Sequence, residues 1–362
     1  MRVHPDQLIP GCIVMRDVMG KTNRPIVTKN TVIKPVHITV LHKFLVDEVE
    51  VGQKLSNGSS FLPEKSNNQP QEISAVHETE QPPFTEQYLQ AVQAYKKMFH
   101  QWKAGFAINM PGVREVIVPL IEQAPKHKNE IYSLHHFTSK DDYFYHHGIA
   151  VALLSAIIAD QLNYSKGEVI QVGIAGFLSD CGMAKIDEGL LSKRGSLTSY
   201  EYEEIKKHPT YSYRMVENIP ALKNEVRLAV LQHHERLDGS GYPLGISQDK
   251  LHTYGKIIAV SDLYHAMTSE RVYRSKQSPF KVLEELLHQQ FGKFDPTITQ
   301  TLVQSMTSLS SGMKIRLTNN QLAEIVFIES KYPTRPMIRL QHNDEIIHLK
   351  FHREIYIEEI IS

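Results

Sequence analysis

The sequence predicts a mainly α protein: an all-helical central domain flanked by a small N-terminal α/β module and a small C-terminal β module. Apolar residues recur at helical spacing from Phe84 to about residue 305, as in EQYLQAVQAYKKMFHQWKAGF and DDYFYHHGIAVALLSAIIADQL. From about Gly312 the period switches to alternation, in MKIRLT, LAEIVFIES, PMIRLQ, EIIHLKF and EIYIEEI, around Asn-, Pro- and Asp-containing turns. Residues 1–53 mix short alternating runs with one helical stretch.

Taken in order, residues 1–53 form the first module. GCIVMRDVMG and RPIVTKNTVI read as short strands with turns between them, His37 to Phe44 as a short helix, and Val46 to Val51 as another strand. Residues 54–83 read as a disordered linker, rich in Ser, Asn, Gln, Gly and Pro and poor in apolar periodicity. A helical lead-in occupies 84–140, with one long helix and a second from Val113 to Gln123. It serves either to pack on the domain that follows or to form a dimer. The helical domain proper runs 141–305, where Thr198 and Glu201 form a capping box that opens one of its helices. Residues 312–362 read as a small antiparallel sheet or barrel.

Bulk properties narrow the function. The chain has 362 residues, with Lys+Arg and Asp+Glu equal at 40 each. No general basic field favours a nucleic-acid polymer. Two cysteines far apart, Cys12 and Cys181, suggest neither a disulfide framework nor a zinc cluster. The start, MRVHPDQLIPGC, lacks a signal-peptide core, and the longest apolar stretch, Gly148 to Ala159, is too short to span a bilayer. A cytoplasmic protein with no membrane span is expected.

The most informative stretch is His233-His234-Glu235-Arg236-Leu237-Asp238-Gly239-Ser240-Gly241-Tyr242-Pro243, which closes an apolar helical run. Adjacent histidines diverge by about 100° on a helix. Such a pair serves two neighbouring metals, or one metal at a helix end; by itself it is more often a solvated terminus favouring the dipole. Asp262 lies within an apolar helix, where an unpaired carboxylate is costly, so a partner such as a metal is expected. His208, on a charged helix, reads alone as a surface residue.

HHERLDGSGYP resembles the signature of the HD-GYP family, a branch of the HD-domain metal-dependent phosphohydrolases. The resemblance covers about residues 141–305 and closes on Phe294-Asp295-Pro296. It implies an all-helical HD-type domain, two or three metals that are usually iron or manganese, and hydrolysis of cyclic di-GMP to pGpG or GMP by a two-metal-activated hydroxide. The implied ligands are His147, Asp180, His208, His233, His234 and Asp262, with Asp180 bridging the metals and central to catalysis. Tyr242 of the GYP loop and the basic residues Arg271 and Arg274 match groups that approach substrate. Diguanylate cyclases with the GGDEF motif are implied as partners, and a homodimer is expected.

Several positions depart from the family pattern. Tyr143 stands where some relatives carry a third-metal glutamate, so two metals are the upper expectation. The family's His-Asp pair reads Ser179-Asp180, its phosphate-facing lysine reads Met183, and an acidic position reads His265. Serine is a poor ligand beside imidazole and methionine offers a phosphate no charge, so one metal site should be weak. His146 and His265 are candidate replacement ligands, and Lys185 a candidate replacement for the lysine. The reading is a cyclic di-GMP phosphodiesterase with an altered metal shell. The alternatives are a non-catalytic receptor for cyclic di-GMP or a partner protein, and a hydrolase of another phosphorylated substrate.

Overall fold

Proline at the first helical position and short alternating strands build the first module around one central strand. The computed structural model describes residues 1–19, 25–44, 46–63, 82–193, 195–270, 276–289 and 292–361. In the first module, β1 (Arg2–Val3), β2 (Cys12–Val14), β3 (Val18–Met19), β4 (Pro25–Val27), α1 (Pro35–Lys43) and β5 (Val49–Leu55) follow in order. β5 is the middle of an antiparallel β1-β5-β2 sheet, and β3 pairs with β4. Cys12, Val14, Leu41, Val49 and Val51 fill its core together with Phe61. The linker expected from residue 54 is therefore corrected at its start: Leu55 is still in the sheet, and Phe61 is held by apolar burial. Residues 64–81, the middle of that expected linker, lie outside the described residues.

Helices then take over: α2 (Phe84–Lys103), α3 (Met110–Gln123), α4 (Lys128–Tyr132), α5 (Tyr143–Gln161), α6 (Lys166–Leu178), α7 (Glu188–Leu191), α8 (Ser199–Ile205), α9 (His208–Val216), α10 (Asn224–Gln232), α11 (Thr253–Thr268), α12 (Pro279–Gln289) and α13 (Pro296–Met306). The capping box read from Thr198 and Glu201 is present at the start of α8. α5 is apolar on nearly every face because it is surrounded: residues 146–159 are all buried. By length and composition α5 resembles a membrane span, but 83% of its apolar window is buried inside the protein, as in a core helix. Residues of α2 and α3 share one continuous core with α5, α6, α10, α11 and α13. The lead-in helices thus pack on the domain that follows, and residue 141 marks no boundary in the core.

The alternating C-terminal segments form β6 (Lys314–Leu317), β7 (Leu322–Phe327), β8 (Met337–Leu340), β9 (Ile346–His348) and β10 (Ile357–Ile361). They make one antiparallel sheet in the order β10-β6-β7-β8-β9, so the last strand returns beside the first. Phe280 of α12 enters its core. Arg335, buried beneath the sheet, holds both carboxylate oxygens of Glu284 on α12 at 2.6 Å. The Ser278 hydroxyl adds a bond to the Ile357 carbonyl at 2.7 Å.

Candidate metal centre

Six of the residues singled out in the sequence converge, each delivered by a helix end or a buried helix face. Asp180 follows the C-terminus of α6 and opens a 3₁₀ turn, Cys181–Lys185, which is tied to α9 by a Gly182 N–H···Ser212 Oγ bond of 2.8 Å. His208 is the first residue of α9; His233 and His234 close α10. His147 and Asp262 project from the buried α5 and α11.

Asp180 sits between two groups. Its Oδ1 faces His208 Nε2 at 3.1 Å and His233 Nε2 at 3.5 Å, and its Oδ2 faces His147 Nε2 at 3.3 Å. His147 Nε2 also meets Asp262 Oδ1 at 2.9 Å, and His234 Nδ1 lies 3.7 Å from Asp262 Oδ2. Asp180, His208, His233 and His234 have donor atoms within 4.8 Å of one another, as do His147, Asp180 and Asp262. Asp180 belongs to both sets.

The donor chemistry fits a cation. His208 Nδ1 donates to the Ile205 carbonyl at 2.7 Å and His233 Nδ1 to the Val230 carbonyl at 2.8 Å. A carbonyl only accepts, so in the neutral rings both Nε2 atoms carry lone pairs. Those two lone pairs face each other at 3.2 Å beside a carboxylate oxygen. Asp180 Oδ1 is accordingly a buried acceptor with no hydrogen-bond partner among the described residues. Three inward-facing acceptors sharing no proton are what a metal ion would satisfy, with backbone carbonyls fixing the ring orientations.

Electrostatics agree. Burial works against the Asp180 carboxylate, but hydrogen bonding from His147 leads the influences that oppose it, and the group is held well below the usual range. Burial would depress His147; its bonds to Asp180 and Asp262 overcome that and push it up to about 9. A positive charge is thus held between two buried carboxylates, where a metal would take its place. Burial and neighbouring His233 press His234 well below the usual imidazole range, leaving a neutral ring able to offer a lone pair.

The replacement candidates are corrected by geometry. His146 points away from the centre: Nε2 meets the Ser56 carbonyl at 2.9 Å and Nδ1 the Tyr88 hydroxyl at 2.7 Å. Successive residues on a helix cannot share a face. His265 stands behind His147, with the two Nδ1 atoms 2.9 Å apart on the side remote from the carboxylates, and Tyr143 Oη reaches the same Nδ1 at 3.1 Å. Both contact the edge of His147 that faces away from Asp180 and Asp262. Ser179 donates its hydroxyl to the Gly176 carbonyl at 2.9 Å, a return to its own helix turn. Lys185 is drawn off to the Trp102 carbonyl at 2.6 Å, so it does not restore the charge absent at Met183. Arg271 and Arg274 lie outside the described residues.

The loop after His234 is built on a residue whose role the sequence reading passed over. Glu235 is buried, and its carboxylate accepts the N–H groups of Leu244 (2.6 Å), Gly245 (3.2 Å) and Ile246 (3.2 Å). The loop folds back so tightly that a Cβ at Gly241 would collide with the backbone of His234, Glu235 and Arg236. This return lays the Tyr242 ring on His234, centroids 4.7 Å apart and 26° from parallel. An acid between a histidine pair and a Gly-rich turn was the available signal for the anchor.

A match to the HD domain family spans residues 117–298, half of the chain. The chain belongs to the HD domain family. Its HHERLDGSGYP segment places it in the HD-GYP branch. The chain is 28% identical over 250 residues to a cyclic di-GMP phosphodiesterase of Pseudomonas aeruginosa, covering 69% of this chain and 60% of that one. It is 37% identical to a cyclic di-GMP phosphodiesterase of Thermotoga maritima, over 39% of each chain. It is 32% identical to a 3'3'-cGAMP-specific phosphodiesterase of Vibrio cholerae, covering 41% of this chain and 33% of the relative. The HD-domain chain therefore spans less than two thirds of the length of each of these relatives.

Proposed function

We propose that this protein is a metal-dependent phosphodiesterase that opens a cyclic dinucleotide, with cyclic di-GMP as the first substrate to test. The observation that carries the reading is Asp180, a buried carboxylate shared by two donor sets, beside which the His208 and His233 lone pairs turn inward. Imidazole with carboxylate suits iron or manganese better than magnesium. Bound there, two such cations would supply Lewis acidity, lowering the pKa of water and neutralising charge that develops on phosphorus. The chain's own residues orient that chemistry. Asp180 would hold the two positions in register, and the Ile205 and Val230 carbonyls keep His208 and His233 in one tautomer. Tyr242, stacked on His234, walls the centre on the loop side. A GGDEF-type partner, a homodimer and a cytoplasmic location belong to the same reading by resemblance.

A second reading, a receptor that binds without turnover, is favoured by one observation. The Ser179 hydroxyl is committed to Gly176, and neither His146 nor Lys185 turns inward, so the His147/Asp262 side has fewer ligands. Anaerobic hydrolysis of cyclic di-GMP by protein reconstituted with ferrous iron or manganese, with metal counted in the same sample, separates the two. Turnover that vanishes in Asp180→Ala is the expected result. Full two-metal occupancy without turnover would establish the receptor. Where one metal or none is retained, Ser179→His should raise both metal content and rate.

A further inference from the structure

Beside the metal centre the surface carries a second arrangement. α8 presents Tyr202 and, immediately after the helix, Lys206. Lys206 Nζ stands 5.5 Å from the centroid of the Tyr202 ring and 5.4 Å from that of the Tyr242 ring. Tyr242 in turn lies flat on His234, a member of the four-residue donor set. Tyr202, Lys206, Tyr242 and His234 therefore form one continuous run from open surface to the centre. Tyr202 is 49% exposed, so its ring face is open to solvent.

We infer that Tyr202 and Lys206 form a nucleotide-recognition subsite, in which a purine base stacks on the Tyr202 ring and Lys206 meets the phosphate that is not being cleaved. The inference rests on the cyclic dinucleotide reading of the centre. A phosphate at the metals leaves the rest of a cyclic dinucleotide outside the donor sets, and this run is what it meets on the Tyr242 side. An exposed aromatic face takes any base without hydrogen-bond readout. The ammonium between two rings is preplaced by cation–π attraction. Its partner Glu203, at 2.9 Å, is 63% exposed, and such a surface pair is readily exchanged for a phosphate.

The test uses the full chain reconstituted with metal. Expected are a KM for cyclic di-GMP raised roughly ten-fold in Tyr202→Ala, within the range stacking loss produces, a comparable rise in Lys206→Gln, and kcat held in both. Tyr202→Trp should keep the wild-type KM, which a merely structural tyrosine would not require. Bis(p-nitrophenyl) phosphate, which has no base and no second phosphate, should be cleaved equally by wild type and variants. An active wild type whose KM is unmoved by both substitutions would overturn the subsite and leave the phosphodiesterase reading standing. If the wild type lacks turnover, the same variants are compared by calorimetric binding of cyclic di-GMP. Equal affinity in Tyr202→Ala and wild type would then reject the subsite. Neither turnover nor binding in the wild type would remove both readings.

Discussion

Asp180, Asp262 and His147 bring two negative charges and one positive charge into a buried space, and that balance has a measurable consequence. With His147 pushed up to about 9, the ring carries a proton at neutral pH, which a metal must displace. Apparent affinity on the His147/Asp262 side should rise by roughly ten-fold per pH unit toward pH 9 and then level, since one proton leaves per ion bound. Competitive metal titrations at pH 7, 8 and 9 measure this; a flat profile would mean that His147 is not displaced from its proton. At this scale much was legible in the sequence: the residue types of a metal centre, and the losses at Ser179 and Met183, were on view in the motifs. Which face each histidine takes was not. The resemblance singles out His147 and leaves its neighbour His146 as a candidate replacement; helix phase turns His147 to the centre and sends His146 to Ser56. Glu235 was hidden for the opposite reason: its partners are three backbone N–H groups, which leave no trace in side-chain identity.

At the scale of elements, periodicity revealed the helical block and the C-terminal strands because each buries one repeating face or, in α5, all of them. It placed the linker too early. Ser, Asn and Gly near residues 56–60 serve a tight turn after β5 rather than a free chain, and Phe61 returns to the core. Burial of His146 beneath that turn makes α5 sensitive to acid. Burial, its largest influence, presses His146 down to about 4, because a charged ring would lose water and the nearby Asp142 carboxylate and the Ser56 carbonyl offset only part of that loss. The folded value lies below the unfolded 6.5, so the stabilisation is complete above pH 6.5 and is lost as pH falls towards 4. The amount is about 3 kcal/mol, from about 1.4 kcal/mol per pKa unit. Denaturant unfolding of the metal-free protein between pH 7 and 4.5 should show this slope, and His146→Phe should flatten it. An unchanged slope would move the acid sensitivity to another buried group.

Across the whole molecule, the first module, helical block and C-terminal sheet are joined by specific polar contacts. Lys34 reaches Glu270 at the end of α11 at 2.8 Å, and Arg335 clamps Glu284. The closest join is the turn at Ser56. Gly58 has φ of 83°, and a Cβ there would collide with the Leu89 carbonyl and the Gln93 side chain of α2. Gly58→Val should therefore lift the turn off α2, break the Ser56–His146 bond and cost on the order of 2 kcal/mol or more in stability. It should also weaken metal retention, although residue 58 touches no ligand. Metal analysis after dialysis against a chelator checks this; full retention in a folded variant would show that the join is mechanical only.

Successive positions 146 and 147 make α5 an axle with two spokes. One spoke is fastened to the N-terminal module, the other to the carboxylates. Helical geometry sets them about 100° apart, so a turn of α5 about its axis would carry both. A change at Ser56 that turned α5 would reach His147 through the helix backbone itself, with no intervening relay of side chains.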